Sequence, residues 1–449
     1  MQHEQLYETL SPTRLFFRCA LPSMVSMAVV SLYTVADGIF VGRCIGAEAL
    51  AAVNLVMPVI MISFALADLV AVGSSVQIAI HLGEKKGEDA CRIFSFWSLL
   101  IFAVSCLMGL AGWFLAEPAV RLMGAEPAVT ALAREYLRVY AMFAPAVMIF
   151  FALDNYLRIC GRVRYSMILN VATSLLNIVL DFLFLAVFEW GIWAASMASC
   201  LSMALGTLLS LTPFLSGKLP LRFVRGALPL KLLGNILANG SSEFFSNITS
   251  SAMMVLLNTV LLRMGGTMAV TAFSIVMYVD SVVGALLFGM ADSLQPAISY
   301  SYGANLRQRM FALERRVLAA SGAVSLSVLA WMLLGGGGVV ALFIQNGDPA
   351  LLDMSLRAMK LFALSYLVNW VGTALSSFLT ALNRPLASLT LSLSRTLIFP
   401  LASLAVLPRL LGLDGVWLTP AVGGFLTALL SLTLLGLVLR HERRTAGAA

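Results

Sequence analysis

The sequence predicts an all-α integral membrane protein: twelve transmembrane helices in two six-helix bundles related by a pseudo-twofold axis normal to the membrane. Three observations carry that expectation. The composition is too apolar for a soluble chain, apolar runs of membrane length recur along it, and its second half repeats the first. Of 449 residues, 60% are hydrophobic and 11% charged, and mean hydropathy is +0.94. Soluble domains carry about 25% charged residues. The chain lacks the charged surface of a soluble enzyme or a nucleic-acid-binding protein, and it is too apolar for a disordered chain. A transmembrane β-barrel would show alternating segments of about ten residues instead of continuous apolar runs.

A membrane-crossing helix needs about 20 mostly apolar residues. That measure gives spans at 15–40, 51–80, 94–116, 134–158, 165–187, 192–214, 234–262, 267–296, 314–344, 357–382, 387–408 and 415–439. The start, MQHEQLYETLSPTR, has no basic region leading to a cleavage site, so the first apolar segment is expected to remain in the protein. With the N-terminus inside, twenty of the 29 Lys and Arg fall on inside segments and eight outside. Basic residues favour the cytoplasmic side. Both termini are therefore expected in the cytoplasm, with the chain multi-pass in the cell (inner) membrane. The net charge of +7 reflects those loops and implies no nucleic acid. The six Cys (19, 44, 91, 106, 160 and 200) have no CxxC or metal-ligand spacing with the three His and are expected to be reduced packing residues.

The repeat sets the lobe arrangement. Residues 41–59 (VGRCIGAEALAAVNLVMPV) and 261–279 (LLRMGGTMAVTAFSIVMYV) are identical at seven of nineteen positions at a shift of 220, among them Arg43/Arg263 and Gly46/Gly266. Gly83/Gly303 keep that shift, Arg162/Arg384 match at 222, and Gly191-Ile192-Trp193 matches Gly415-Val416-Trp417 at 224. A shift of six helices gives both halves the same orientation, as in transporters that rock one bundle against the other. The expected units are an N-terminal lobe, 1–215, a basic cytoplasmic linker, 216–229, and a C-terminal lobe, 230–449.

Ionisable side chains at membrane depth are costly and mark functional sites. Asp37 lies late in the first helix with Tyr33 one turn before it and Pro22 in the same helix, where a proline bends the backbone or acts as a hinge. The competing reading places Asp37 at the outer end, in water. In the fifth helix Asn170, Ser174, Asn177 and Asp181 fall on one helical stripe. That stripe is either a polar cavity wall with a carboxylate or a hydrogen-bonded packing seam. Asp154 and Arg158 form an i, i+4 pair beside Asn155, read as a local salt bridge with Asn155 free to face a cavity. Glu243, Asp280, Asp292 and Arg395 lie at plausible depth in the second half. For Glu243 and Arg395, cavity lining and structural pairing are both open, and Asp68 and Asp292 are given no role. The glycine run 335–338 lacks the Lys-Ser/Thr of a P-loop, and no catalytic constellation involves His3, His81 or His441. No catalytic residue, enzyme activity or cofactor is expected.

The segments ALPSMVSMAVVSLYTVADGIFVGRCIGAEALAAVNL, LNIVLDFLF, GIWAASMAS and SLQPAISYSYGAN, in this order along the chain, resemble the multidrug and toxic compound extrusion (MATE) family, most closely its prokaryotic DinF-like branch. The resemblance implies two six-helix lobes around a cleft and export of bulky, often cationic compounds in exchange for H+ or Na+. It maps the ion-coupling acids to Asp37 and Asp181, with Asn177 and Tyr33, so that Na+ as well as H+ has a candidate site at Asp37, Asn177 and Asp181. It maps the kinking proline to Pro22, and Asn155 and Ser199 to polar positions of the fourth and sixth helices. Another branch of the family places acids in the seventh and tenth helices. Here the tenth offers Asn369 and the seventh has Glu243 early. The expected partners are small-molecule substrates, H+ or Na+ and the lipid bilayer, for a monomeric chain. A lipid-linked oligosaccharide flippase of the same superfamily is the alternative, with a channel or membrane enzyme as the reading from another class.

Overall fold

A computed structural model describes residues 5–122, 126–226, 230–343 and 349–446. Residues 227–229 of the expected linker lie outside the described residues. After a short amino-terminal turn, Gln5–Thr9, the helices are α1 (Pro12–Phe40, continued by a π-helical turn Val41–Ile45), α2 (Ala47–Gly83), α3 (Gly87–Leu122), α4 (Pro127–Ile159), α5 (Val163–Asp181, continued by Phe182–Val187) and α6 (Ile192–Leu215). Then follow α7 (230–265) and α8 (267–303), α9 (Arg307–Phe343), α10 (Pro349–Ala363 and Asn369–Ala381), α11 (Pro385–Leu411) and α12 (Leu413–Ala446). Ten described helices are long and apolar enough to cross a membrane. One of them, Leu232–Gly303, is 72 residues long. It breaks at Gly266, whose φ of 64° leaves the helical region, and so crosses twice as α7 and α8. The two halves of α10, Pro349–Leu367 and Asn369–Ala381, meet at 43° and supply the remaining span. Twelve crossings result, as the sequence predicts.

Local sequence sets the ends. Ser11 caps α1 by accepting the Arg14 N–H, and Pro12, Pro127 and Pro385 occupy first-turn positions where no backbone donor is lost. The turns repeat between halves even where residues differ. Left-handed backbone occurs at Gly46 and Gly266, at Lys85 and Asn305, and at Gly161 and Asn383. Those pairs keep shifts of 220, 220 and 222, so the duplication is written in the backbone as well as in the residues. Large apolar side chains such as Leu99, Phe114 and Leu334 remain exposed, as suits helices whose outer faces meet lipid.

The lobes meet at the end that carries the basic loops. A Cβ added at Gly83 would overlap the Tyr300 carbonyl, and one at Gly303 would overlap the Ile80 carbonyl. Each glycine thus meets the pseudo-equivalent of the other's neighbour, the reciprocal contact that a twofold axis generates. The same logic pairs α2 with α7, where Gly73 meets Ile236 and Gly240 meets Leu69, and α8 with α1, where Gly289 meets Ser23 and Met27. Van der Waals packing and small residues drive helix association in lipid, where no hydrophobic force separates helix from tail. Polar ties cross the same region: the Tyr7 hydroxyl donates to the Arg158 carbonyl (2.6 Å), Tyr300 donates to Glu8 (2.9 Å), and Arg309 donates to the Leu10 carbonyl (2.6 Å).

Gly303→Ala is expected to lower the thermal unfolding midpoint of the purified protein in detergent, at an overpacking cost of about 1–3 kcal/mol. Gly436→Ala adds a methyl where nothing lies within 4 Å and is expected to be neutral or mildly stabilising. Equal midpoints for the two variants would show that the seam is not closely packed.

Candidate functional site

The N-terminal lobe brings Asp37 and Asp181 together. α1 and α5 run side by side and bring the two carboxyl groups close enough to act on each other. Asp37 is 8% exposed and Asp181 fully buried. The placement of Asp37 in water at a helix end is thereby corrected: α1 continues through its π-helical turn to Ile45, which carries the backbone past Asp37. One oxygen of each carboxyl group has no hydrogen-bond partner. The Asn177 amide fits with its nitrogen donating to Asp181 Oδ2 (3.2 Å) and its oxygen accepting from the Ser199 N–H (3.2 Å) and Oγ (3.0 Å). Ser199 of α6 therefore orients the residue that holds the acid.

The stripe on α5 lines a cavity. Asn170, Ser174 and Asn177 border a space of about 40 Å³ with Tyr33, Ser199 and the Phe150–Phe151 edge of α4. Tyr33 sits between this cavity and the acid pair, and its phenol feels both carboxylates. Two expected residues behave otherwise. Asn155 turns back on its own helix and donates to the Phe151 carbonyl (3.1 Å). Asn170, besides lining the cavity, donates to Asp154 (2.7 Å). Tyr136 of α4, unremarked in the sequence, is buried within electrostatic reach of Asp37, Asp181 and Tyr33. Its only trace in the sequence is a pair of phenols one turn apart, Tyr136 and Tyr140, within an apolar span.

The Asp154–Arg158 pair (2.6 Å) exists, but it is not merely local. Arg158 also reaches Asp292 of α8 at 3.4 Å, so this buried guanidinium ties the lobes together. Asp68 likewise accepts from Asn247 of α7 (3.0 Å). Asp68 and Asp292, given no role above, are both interlobe contacts.

The C-terminal lobe has its own, larger cavity of about 360 Å³. Its charged groups are Asp280, which accepts from the Tyr366 hydroxyl (2.7 Å), and Arg395, which donates to Thr373 (3.0 Å) and Ser246 (3.3 Å); Asn369 of α10 and the hydroxyls of Ser250, Thr396, Thr419 and Thr427 also line it. Arg395 lies in a π-helical turn, Ser394–Ile398, a local widening found often at functional sites. Glu243 acts on Arg395 through space and does not line this cavity.

A duplicated twelve-helix bundle with a buried carboxylate pair in one lobe and a mixed-charge cavity in the other defines a multi-pass membrane protein of the two-lobe transporter class. The chain belongs to the MatE family: the family model matches twice, at residues 22–183 and 244–403, once in each half. Multidrug export protein MepA of Staphylococcus aureus (strain NCTC 8325 / PS 47) is 25% identical over 443 residues, covering 98% of this chain and 97% of that protein. A MATE protein crystallised in a bent conformation superposes with a TM-score of 0.92 at 25% identity, covering 100% of this chain and 99% of the other. One in a straight conformation does so with a TM-score of 0.90 at 26% identity, covering 99% of each.

Proposed function

We propose that this protein is a secondary active multidrug antiporter that exports bulky amphipathic compounds, cationic ones among them, in exchange for H+. The observation that carries the reading is the buried Asp37–Asp181 pair beside the Tyr33–Asn177 cavity. Two neighbouring buried carboxyl groups with no cation beside them favour holding a proton, because burial and like charge both oppose ionising the pair. Asn177 turns its N–H toward Asp181 and is held there by Ser199. Na+ at Asp37, Asn177 and Asp181 would require that amide to rotate, exchanging the two bonds it accepts from Ser199 for one donated to Ser199 Oγ (3.0 Å) and losing its bond to Asp181. The name of the S. aureus relative, a multidrug export protein, supports the substrate class. Lipid-linked pyrophosphate would call for several cations in one cavity, and the larger cavity offers one guanidinium facing one carboxylate.

The basic end is assigned to the cytoplasm, with both termini there, the chain in the cell membrane and the monomer as the working unit. Residues 1–215 and 230–449 are the lobes and 216–229 the joint. Pro22 is the hinge. It lies inside α1, ten residues past its start, and about 22 Å along the helix from Asp37. That MATE structures are described in a bent and in a straight conformation supports a family able to bend.

Transport is tested in proteoliposomes with pH and Na+ gradients imposed separately. A pH gradient alone is expected to drive substrate. Asp37→Asn and Asp181→Asn are each expected to reduce driven transport to the level of protein-free vesicles, while the protein stays folded by its size-exclusion profile. Wild-type rates in either variant would remove that residue from the coupling site, and drive by Na+ alone would replace the proton with Na+.

Pro22→Ala restores a backbone hydrogen bond and stiffens α1. Severalfold slower turnover is expected, with equilibrium substrate binding retained because the cavity residues are untouched. Unchanged turnover would show that the proline is not a hinge.

A further inference from the structure

The C-terminal cavity carries both signs of charge. Arg395 and Asp280 line one space whose apolar wall includes Met253, Met277, Phe288 and Phe362, with Asn369 and several threonine hydroxyls beside them. An ionisable group at membrane depth is normally neutralised by a close partner. Asp280 has the Tyr366 hydroxyl and no cation, while Arg395 has two hydroxyls, Thr373 and Ser246, and leaves Nε without a partner. Among the described residues, neither forms an ion pair within 4 Å. The Glu243 carboxylate acts on Arg395 only at longer range. A carboxyl group and a guanidinium that line one largely apolar chamber without an ion-pair partner are complementary to a ligand that carries the inverse pair.

We propose that this cavity is a substrate site for amphipathic zwitterions, in which Arg395 receives the anionic group, Asp280 with Tyr366 receives the cationic group, and the methionine and phenylalanine walls take the apolar body. The assignment rests on the export function proposed above and names a substrate class for the second lobe. Arginine presents a planar fork that matches a carboxylate bidentately. Flexible methionine side chains adapt to bodies of different shape. A purely cationic ligand of the same size leaves Arg395 unanswered and brings a like charge into its cavity. The site therefore discriminates by the anionic group, not by overall bulk. The volume of about 360 Å³ falls in the range of small-molecule pockets.

The test uses two dyes that differ only in that group: rhodamine B, a zwitterion with a free carboxylate, and its ethyl ester, a cation. Binding to the full-length protein in detergent is measured by fluorescence polarisation. Wild type is expected to bind rhodamine B about tenfold more tightly than the ester, equivalent to about 1.4 kcal/mol. Arg395→Gln should abolish that preference by weakening rhodamine B alone, Arg395→Lys should retain part of it, and Asp280→Asn should weaken both dyes. Equal affinities in wild type, equal losses for both dyes in Arg395→Gln, or no binding of either dye would overturn the proposal. Dye transport driven by an imposed gradient is measured in parallel. Transport without discrimination sinks the zwitterion site alone. Discrimination in binding with no transport under any gradient sinks the export reading and leaves the site standing.

Discussion

The arrangement depends on one electrostatic constraint: two carboxyl groups, Asp37 and Asp181, are held together in a buried site and no cation of the protein pairs with either among the described residues. A buried charge without a partner is expensive. The site is therefore stable only with something bound that reduces the charge, a proton or a small cation. Asn177 and Ser199 hold geometry around the pair and add no charge. The lobe's buried guanidinium, Arg158, lies at the opposite end of α5, beside Ser166, and is engaged with Asp154 and with Asp292 across the interlobe seam. An acid pair satisfied by its own arginine would not need an external ion. Keeping arginine out of this pocket leaves it dependent on one.

The duplicated fold lets the two lobes divide the work. Their backbones repeat, down to the left-handed turns at Gly46/Gly266 and Lys85/Asn305. Their interiors do not. The stripe that ends in Asp181 on α5 has its counterpart near Ser403 on α11, and Arg395 stands close to where the repeat would place Thr173. Thr173 also borders the N-terminal cavity. The same helical face lines a cavity in each lobe, with an acid pair beside one and a mixed-charge chamber in the other. The scaffold is thus symmetric in its backbone turns and asymmetric in the side chains that line its cavities.

What the sequence reveals follows from how far each interaction reaches along the chain. The Asn170–Ser174–Asn177–Asp181 stripe was legible because a helix has a fixed period, and residues spaced by three and four share a face without reference to anything else. The twelve spans were legible because bilayer thickness is an external ruler. Partners across the bundle were not. Arg158 and Asp292 are 134 residues apart, and nothing local distinguishes an arginine that closes on its i−4 neighbour from one that also bridges lobes. Asp68 and Asn247 fail for the same reason. Asn155 misled in the opposite direction: its amide found an acceptor one turn back on its own helix, the local competition open to every asparagine. The two faces of the C-terminal cavity, Asp280 with Tyr366 and Arg395 with Thr373, become one site only once α8, α10 and α11 are packed.

Coupling requires that ion and substrate each bias the same two-state element. α1 has the connections for that part. Near its outer end it carries Tyr33 and Asp37 against α5. Lower down, Ser23 and Met27 pack on Gly289 of α8, in the other lobe. Pro22 is adjacent to that contact, so a bend at the proposed hinge would fall where α1 touches the opposing bundle. In the proposed antiporter, a change in charge at Asp37 would alter how α1 lies on α5, and the helix would pass that change to its seam contact. The glycine there allows close approach in one geometry and offers no side chain to follow a shifted neighbour. A small reorientation of α1 therefore trades seam packing against ion-site geometry. A substrate that favours one seam arrangement then changes ion affinity by the same free energy, without any contact between the two ligands.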